Sequence, residues 1–325
     1  MSDFWLYEIG TALGEVKLNV PQLIRESGNT REGLIERTGF QNVYCANDLT
    51  QGIDLALETL SSSGKNWLGI ANPDACIYVT STSNFVAPGN AHLLQEFLGL
   101  REDCFLMDLN DACTGFLRAL TIAESLISSG THTNVLIVLS DTYRKLFKPS
   151  DMKVSPLFSD AASSVLVSKH KITNLIEGIQ GIHLQSMASY FVSKGSKATD
   201  LTISRTTNET LRESLSMNGG GVFNFVLANL QGVLDKIEIE LGVNPIGKTH
   251  WIVHQGSRAV VNAVENSLGV QRDSLFRAAE YGNTIGSSIP FQLKSLDSMD
   301  EGHEFIGMLA FGVGLSMGCK VVKVL

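Results

Sequence analysis

The chain has 325 residues, 44% of them hydrophobic and 18% charged, with a formal net charge of −8. That length suits one compact unit built of two halves, and the acidic balance argues against a nucleic-acid-binding surface. The five cysteines (Cys45, Cys76, Cys104, Cys113, Cys319) form no CxxC pair, and the histidines show no HExxH or Cys/His ligand spacing. The expectation is reduced thiols in a cytoplasmic protein with no metal site.

The first ten residues lack the basic start and apolar core of a signal peptide, and apolar runs such as 135–139 have the length of a strand rather than of a membrane span. No membrane association is expected. Asp48 is positioned to cap a helix through Ile53, Leu57 and Leu60 to Gly64. Residues 75–80 and 105–109 read as strands, 114–128 as a helix stopped by Gly130, and 134–139 as a strand buried on both faces. The second half repeats the order. It has a long helix over 223–241, a strand at 250–253, a helix at 257–268, a helix at 285–296 and a strand at 305–310. Each half closes with small residues leading into an apolar strand, 159–164 before 165–167 and 312–314 before 315–324. The pattern points to an internal duplication, with halves at residues 1–168 and 169–325 and parallel sheets covered by helices.

Cys113 follows a strand and opens a helix. A helix N-terminus offers partial positive charge and free N–H groups that stabilise a thiolate and hold an oxyanion. The other four cysteines read as small buried residues. His254 ends a strand ahead of the next helix and, by pattern, takes in the second half the place of Cys113 in the first. Asn283 lies in Tyr281–Gly282–Asn283–Thr284–Ile285–Gly286, a run of small residues that lets backbone approach a ligand closely.

Together these segments resemble the β-ketoacyl-(acyl carrier protein) synthase III group of the thiolase superfamily. The resemblance runs through Glu36–Arg37–Thr38–Gly39, Asp111–Ala112–Cys113–Thr114–Gly115–Phe116, Val253–His254–Gln255, Tyr281–Gly282–Asn283–Thr284 and Phe311–Gly312–Val313–Gly314, in order over nearly the whole chain. It implies a thiolase fold, with two pseudo-duplicated α/β halves in a layered αβαβα arrangement. It also implies decarboxylative Claisen condensation of an acyl thioester primer, carried on Cys113, with a malonyl thioester on acyl carrier protein. His254 and Asn283 would stabilise the enolate, and the backbone N–H groups of Cys113, Val313 and Gly314 would form the oxyanion site. No metal or redox cofactor is implied, and a homodimer is.

Several positions depart from the family pattern. Near Arg37, where members carry a tryptophan against the adenine of coenzyme A, stands Gly33; on the opposite wall Met152 replaces an arginine. The loss of both stacking partners implies a primer taken from acyl carrier protein, or a different grip on acyl-CoA. Ala87 replaces the bulky aromatic that reaches across the dimer, which implies room for a longer acyl chain. Val313 stands where Gly or Ala is usual, strained if that backbone requires positive φ. Arg258 is a candidate for the carrier-docking face. Two alternatives stay open: an acyltransferase passing its acyl group to an alcohol or amine, and a non-catalytic partner subunit of a ketosynthase heterodimer. Fatty-acid initiation and a polyketide or other specialised route are equally open.

Overall fold

The computed structural model describes residues 3–28, 33–61, 67–173, 175, 181–204, 214–298 and 302–325. In chain order the first half holds β1 (Asp3–Leu13), β2 (Val16–Asn19), α1 (Val20–Glu26), α2 (Leu34–Thr38), β3 (Asn42–Cys45), α3 (Gly52–Ser61), α4 (Trp67–Ala71), β4 (Ala75–Val79), α5 (Asn90–Leu98), β5 (Phe105–Leu109), α6 (Gly115–Ser128), β6 (Asn134–Asp141) and β7 (Ala161–Ser168). The second holds β8 (Ile182–Ser193), β9 (Leu201–Ile203), β10 (Leu215–Met217), α7 (Gly219–Leu241), β11 (Thr249–Val253), α8 (Arg258–Leu268), β12 (Phe305–Gly312) and β13 (Ser316–Val324).

Nine strands form one continuous sheet in the order β11-β12-β13-β8-β1-β7-β6-β4-β5. Read outward from the central antiparallel β1–β8 pair, the two arms repeat each other. Each has two antiparallel neighbours and then a parallel one, and only the first half adds the edge strand β5. The sheet is therefore mixed, not parallel as the alternation of strands and helices suggested. Three of its eight pairings are parallel, because each half returns its last strand antiparallel. The turn from Gly312 to Ser316, for instance, is too short for a crossover.

Alternation within strands builds the layers. In β6, Val135, Ile137 and Leu139 face one core while Leu136 and Val138 face another; in β12, Ile306, Met308 and Ala310 face the first core while Phe305, Leu309 and Phe311 face a third. The shared first core lies between the two arms and is filled by α6 together with Ile289, Leu293 and Leu296. Outside it lie α3 against the first arm and α7 with α8 against the second. Five layers result: helix, sheet, helix, sheet, helix.

Three local expectations differ. The helix at Ile53 starts at Gly52, not at Asp48, and its expected end at Gly64 lies outside the described residues. The stretch 285–296 forms two 3-10 segments, Ile285–Ser288 and Pro290–Ser298. Pro290 cannot donate to an α-helical ladder, and Ile285 has φ 52°, outside right-handed helix. Strands β1 and β8, the centre of the sheet, were not anticipated.

Candidate active site

Cys113, His254 and Asn283 come from three separate segments and line one cavity of about 110 Å³. All three are buried, with exposures of 6%, 2% and 4%. Phe158, Leu201, Met217, Val222, Val260 and Phe311 supply apolar walls.

Cys113 stands two residues ahead of α6, with Thr114 at the helix N-cap. Backbone comes hard against it. A Cβ at Gly312 would lie 2.8 Å from both Cβ and Sγ of Cys113, so glycine is required there for contact between this turn and the nucleophile. Burial pushes the Cys113 thiol above its ordinary range, and the Asp111 and Asp141 carboxylates push the same way. This corrects the expectation of a helix-stabilised thiolate. Desolvation is the largest influence on the thiol and favours its neutral form.

His254 is held by its backbone N–H donating to Leu309 O at 2.8 Å, and its ring stands edge-on to Phe311 at 5.2 Å. Burial depresses its pKa to about 3, so the imidazole is neutral. Nδ1 is buried without a hydrogen-bond partner. Strand order places it differently from the sequence reading. Strand β11, which leads to His254, mirrors β4, whereas the central-layer residues after Asn283 mirror α6. It is Asn283, not His254, that occupies the place of Cys113.

Asn283 is stapled to the 157–159 segment. Its N–H donates to Leu157 O, and its carbonyl accepts from Ser159 N–H, both at 2.9 Å. Its Oδ1 accepts from Ile285 N–H at 2.9 Å, which leaves the Nδ2 amide as its donor group toward the cavity. The left-handed Ile285 follows this bond. A β-branched residue in that region stores strain, a feature concentrated at functional sites.

Sequence reasoning gave no role to Gln255, yet its side chain ties the histidine segment to the rest of the site. Its Nε2 donates to Val253 O (2.7 Å) and Leu275 O (3.0 Å), its Oε1 accepts from Arg277 N–H (2.8 Å), and its own N–H donates to Ser288 Oγ (2.8 Å). Gln292 reinforces this by donating to Val253 O at 2.9 Å and Ser288 O at 2.6 Å. The signal was available in the glutamine that directly follows His254, because a buried Gln needs several partners.

A wider cavity of about 560 Å³ shares Leu157, Met217, Gly219 and Ser257 with the inner one and opens outward past Arg37, Met152 and Lys153. The other expected binding residues stand apart. Gly33 caps α2 with φ 73° and does not border this cavity, and that backbone would strain a tryptophan. The Arg258 guanidinium lies over Phe276 at 4.9 Å, with Asp273 at 3.4 Å. Ala87 is exposed beside Phe85 and Val86 and does not reach the cavity of its own chain. Val313 has no positive φ. Gly314 takes it, at 133°, so the anticipated valine strain is absent. Among the described residues no group of three His, Cys, Asp or Glu is placed to hold a metal ion.

Comparison with known proteins agrees with this geometry. The family model for 3-oxoacyl-(acyl-carrier-protein) synthase III matches residues 107–188, and the model for its C-terminal part matches 241–324, together about half of the chain. Beta-ketoacyl-(acyl-carrier-protein) synthase III of Coxiella burnetii is 27% identical over 327 residues, covering 97% of each chain. That of Bartonella bacilliformis is 25% identical over 328 residues, again covering 97% of each. The crystal structure of FabH from Pseudomonas aeruginosa superposes with a TM-score of 0.82 at 26% identity over 98% of both chains. That from Thermus thermophilus gives 0.81 at 25% over 99% of both. With its thiolase fold and its cysteine, histidine and asparagine gathered at one cavity, the chain belongs to the 3-oxoacyl-(acyl-carrier-protein) synthase III family.

Proposed function

We propose that the chain catalyses decarboxylative condensation of an acyl primer with malonyl-(acyl carrier protein), giving a β-ketoacyl thioester. One observation carries this reading: a thiol, a neutral imidazole and a carboxamide with its oxygen tied back converge on a single small apolar cavity. Cys113 Sγ attacks the primer thioester carbonyl. The carrier thiol leaves with the proton lost by Cys113, and an acyl-enzyme remains. Malonyl thioester then enters. Loss of CO2 places negative charge on its thioester oxygen, where an N–H of neutral His254 and the Asn283 amide donate hydrogen bonds. The enolate carbon attacks the acyl carbonyl. The new C–C bond replaces the C–S bond, and Cys113 regains a proton. Backbone N–H groups of Cys113, Val313 and Gly314 are proposed to hold the oxyanion of each attack. Neither step calls for a metal or redox cofactor.

The outer cavity is wide enough to lead a thioester arm to Cys113, and Arg37 and Lys153 at its lining suit a phosphate or an acidic carrier. Met152 in place of an arginine, with a left-handed glycine at position 33 where a tryptophan would be strained, supports priming from acyl carrier protein over acyl-CoA. Palindromic strand order supports a seam between halves near residue 169. The open edge of β5, with Phe105 42% exposed, supports a homodimer. No helix among the described residues is long and apolar enough to cross a membrane, and cytoplasmic residence is part of the proposal.

The test separates the half-reactions. Asn283→Ala should still form acyl-Cys113 but release CO2 and product from malonyl-(acyl carrier protein) about 100-fold more slowly. Release of CO2 and product at the wild-type rate by Asn283→Ala enzyme already acylated on Cys113 would overturn the assignment of Asn283.

A further inference from the structure

One contact joins the nucleophile segment to the glycine turn of the opposite half without touching the cavity. Thr114 Oγ1 and Ser316 Oγ lie 3.1 Å apart, 202 residues apart in sequence, with exposures of 1% and 3%. Ser316 Oγ donates to Val313 O at 2.7 Å, closing the turn that runs from Gly312. On the other side Thr114 Oγ1 lies 3.0 Å from Asp111 Oδ2, which Arg118 Nε holds at 2.7 Å. A polar path thus runs inward from the partly exposed Arg118 and Asp111 through the buried Thr114 and Ser316 to the Val313 carbonyl. Two hydroxyl protons serve its three contacts to Asp111, between the hydroxyls and to Val313, so the hydroxyls form one shared network rather than independent bonds.

We propose that Thr114 and Ser316 are positioning residues that set the register of the Gly312–Val313–Gly314 turn against Cys113, and thereby the geometry of the oxyanion site. This rests on the reading of Cys113 as nucleophile and of that turn as oxyanion donor. Turn and nucleophile are already in contact through Gly312, so a small slip of the turn moves its N–H groups relative to any carbonyl on Cys113. Displacements near 1 Å cost on the order of 100-fold in rate. Neither hydroxyl lines the cavity, so neither is expected to meet substrate.

The test compares two reactions of the same sulfur. Transfer from an acyl-(acyl carrier protein) forms an S–C bond through a tetrahedral oxyanion before the carrier thiol leaves. Iodoacetamide forms an S–C bond by direct displacement of iodide, with no oxyanion. Single-turnover acylation and iodoacetamide alkylation of Cys113 are followed by intact mass in wild type, Thr114→Val, Ser316→Ala, the double variant and Thr114→Ser. The expected result is acylation slowed about 10- to 100-fold in Thr114→Val and in Ser316→Ala. The double variant should be little worse than either single, Thr114→Ser should be near wild type, and alkylation should be unchanged throughout. Acylation and alkylation falling together would reveal a general structural effect and overturn the proposal, as would unchanged acylation. Alkylation of Cys113 in a wild type that accepts no acyl donor would show instead that the functional reading itself fails, and the proposal with it.

Discussion

At the scale of single residues, the site favours a thiol and an imidazole over a thiolate and an imidazolium. Burial drives both groups to their neutral forms. The two half-reactions should therefore respond differently to pH. Acylation needs the thiolate, whose fraction below the thiol pKa grows about tenfold per pH unit, so single-turnover loading of Cys113 should climb steadily from about pH 6 to about pH 9. Condensation on enzyme already acylated should be flat between about pH 5 and pH 8, because His254, depressed to about 3, takes up no proton there. An inflection near pH 6.5 in the second step would show that His254 titrates normally. The three residues that line the cavity were legible in the sequence because the segments around them, in order over nearly the whole chain, resemble one family. Their supports were not. Gln255 anchors its segment through partners 2 to 37 residues away, and Thr114 meets Ser316 only after both halves have folded.

Among the elements, α6 carries the nucleophile at one end and is fastened to the other half by a buried ion pair. Lys320 Nζ on β13 lies 2.8 Å from Glu124 Oε2 on α6 and 3.1 Å from Ser186 Oγ on β8. With the two side chains 1% and 8% exposed, removing one partner strands a charge in the central layer. Lys320→Met alone should lower unfolding free energy by about 3–5 kcal/mol, and adding Glu124→Leu should restore most of it. Denaturant midpoints of the two variants check this, and equal loss in both would mean that packing rather than charge matters at the site. Segment 285–298 shows the limit of pattern reading. Ile285, Ile289, Leu293 and Leu296 recur at helical spacing and do face the core, but Pro290 and the left-handed Ile285 turn the backbone to 3-10 geometry. Hydrophobic period locates a buried face; it does not choose between helices of similar pitch.

For the whole molecule, layers and duplication were legible because β-α alternation repeats in both halves. The sheet's mixed direction and its central β1–β8 seam were not, since pairing between residues as distant as Phe4 and Leu184 leaves no local trace. The exposed loop at Phe85, Val86 and Ala87 gains a meaning for the acyl pocket only if a second copy closes over it. In a homodimer Ala87→Phe should shift loading toward shorter primers without altering the fold of its own chain. A wild type that is monomeric by light scattering would remove that route. The central claim is that Cys113 carries the acyl group that malonyl thioester then takes up. Intact mass of wild type and Cys113→Ala, after exposure to acyl-(acyl carrier protein) and acyl-CoA donors and then to malonyl-(acyl carrier protein), tests it most directly. The account predicts an acyl adduct on wild type alone, formed faster from the carrier protein and discharged only when the malonyl thioester is added. An adduct that persists in Cys113→Ala, or one that malonyl thioester leaves in place, would contradict it.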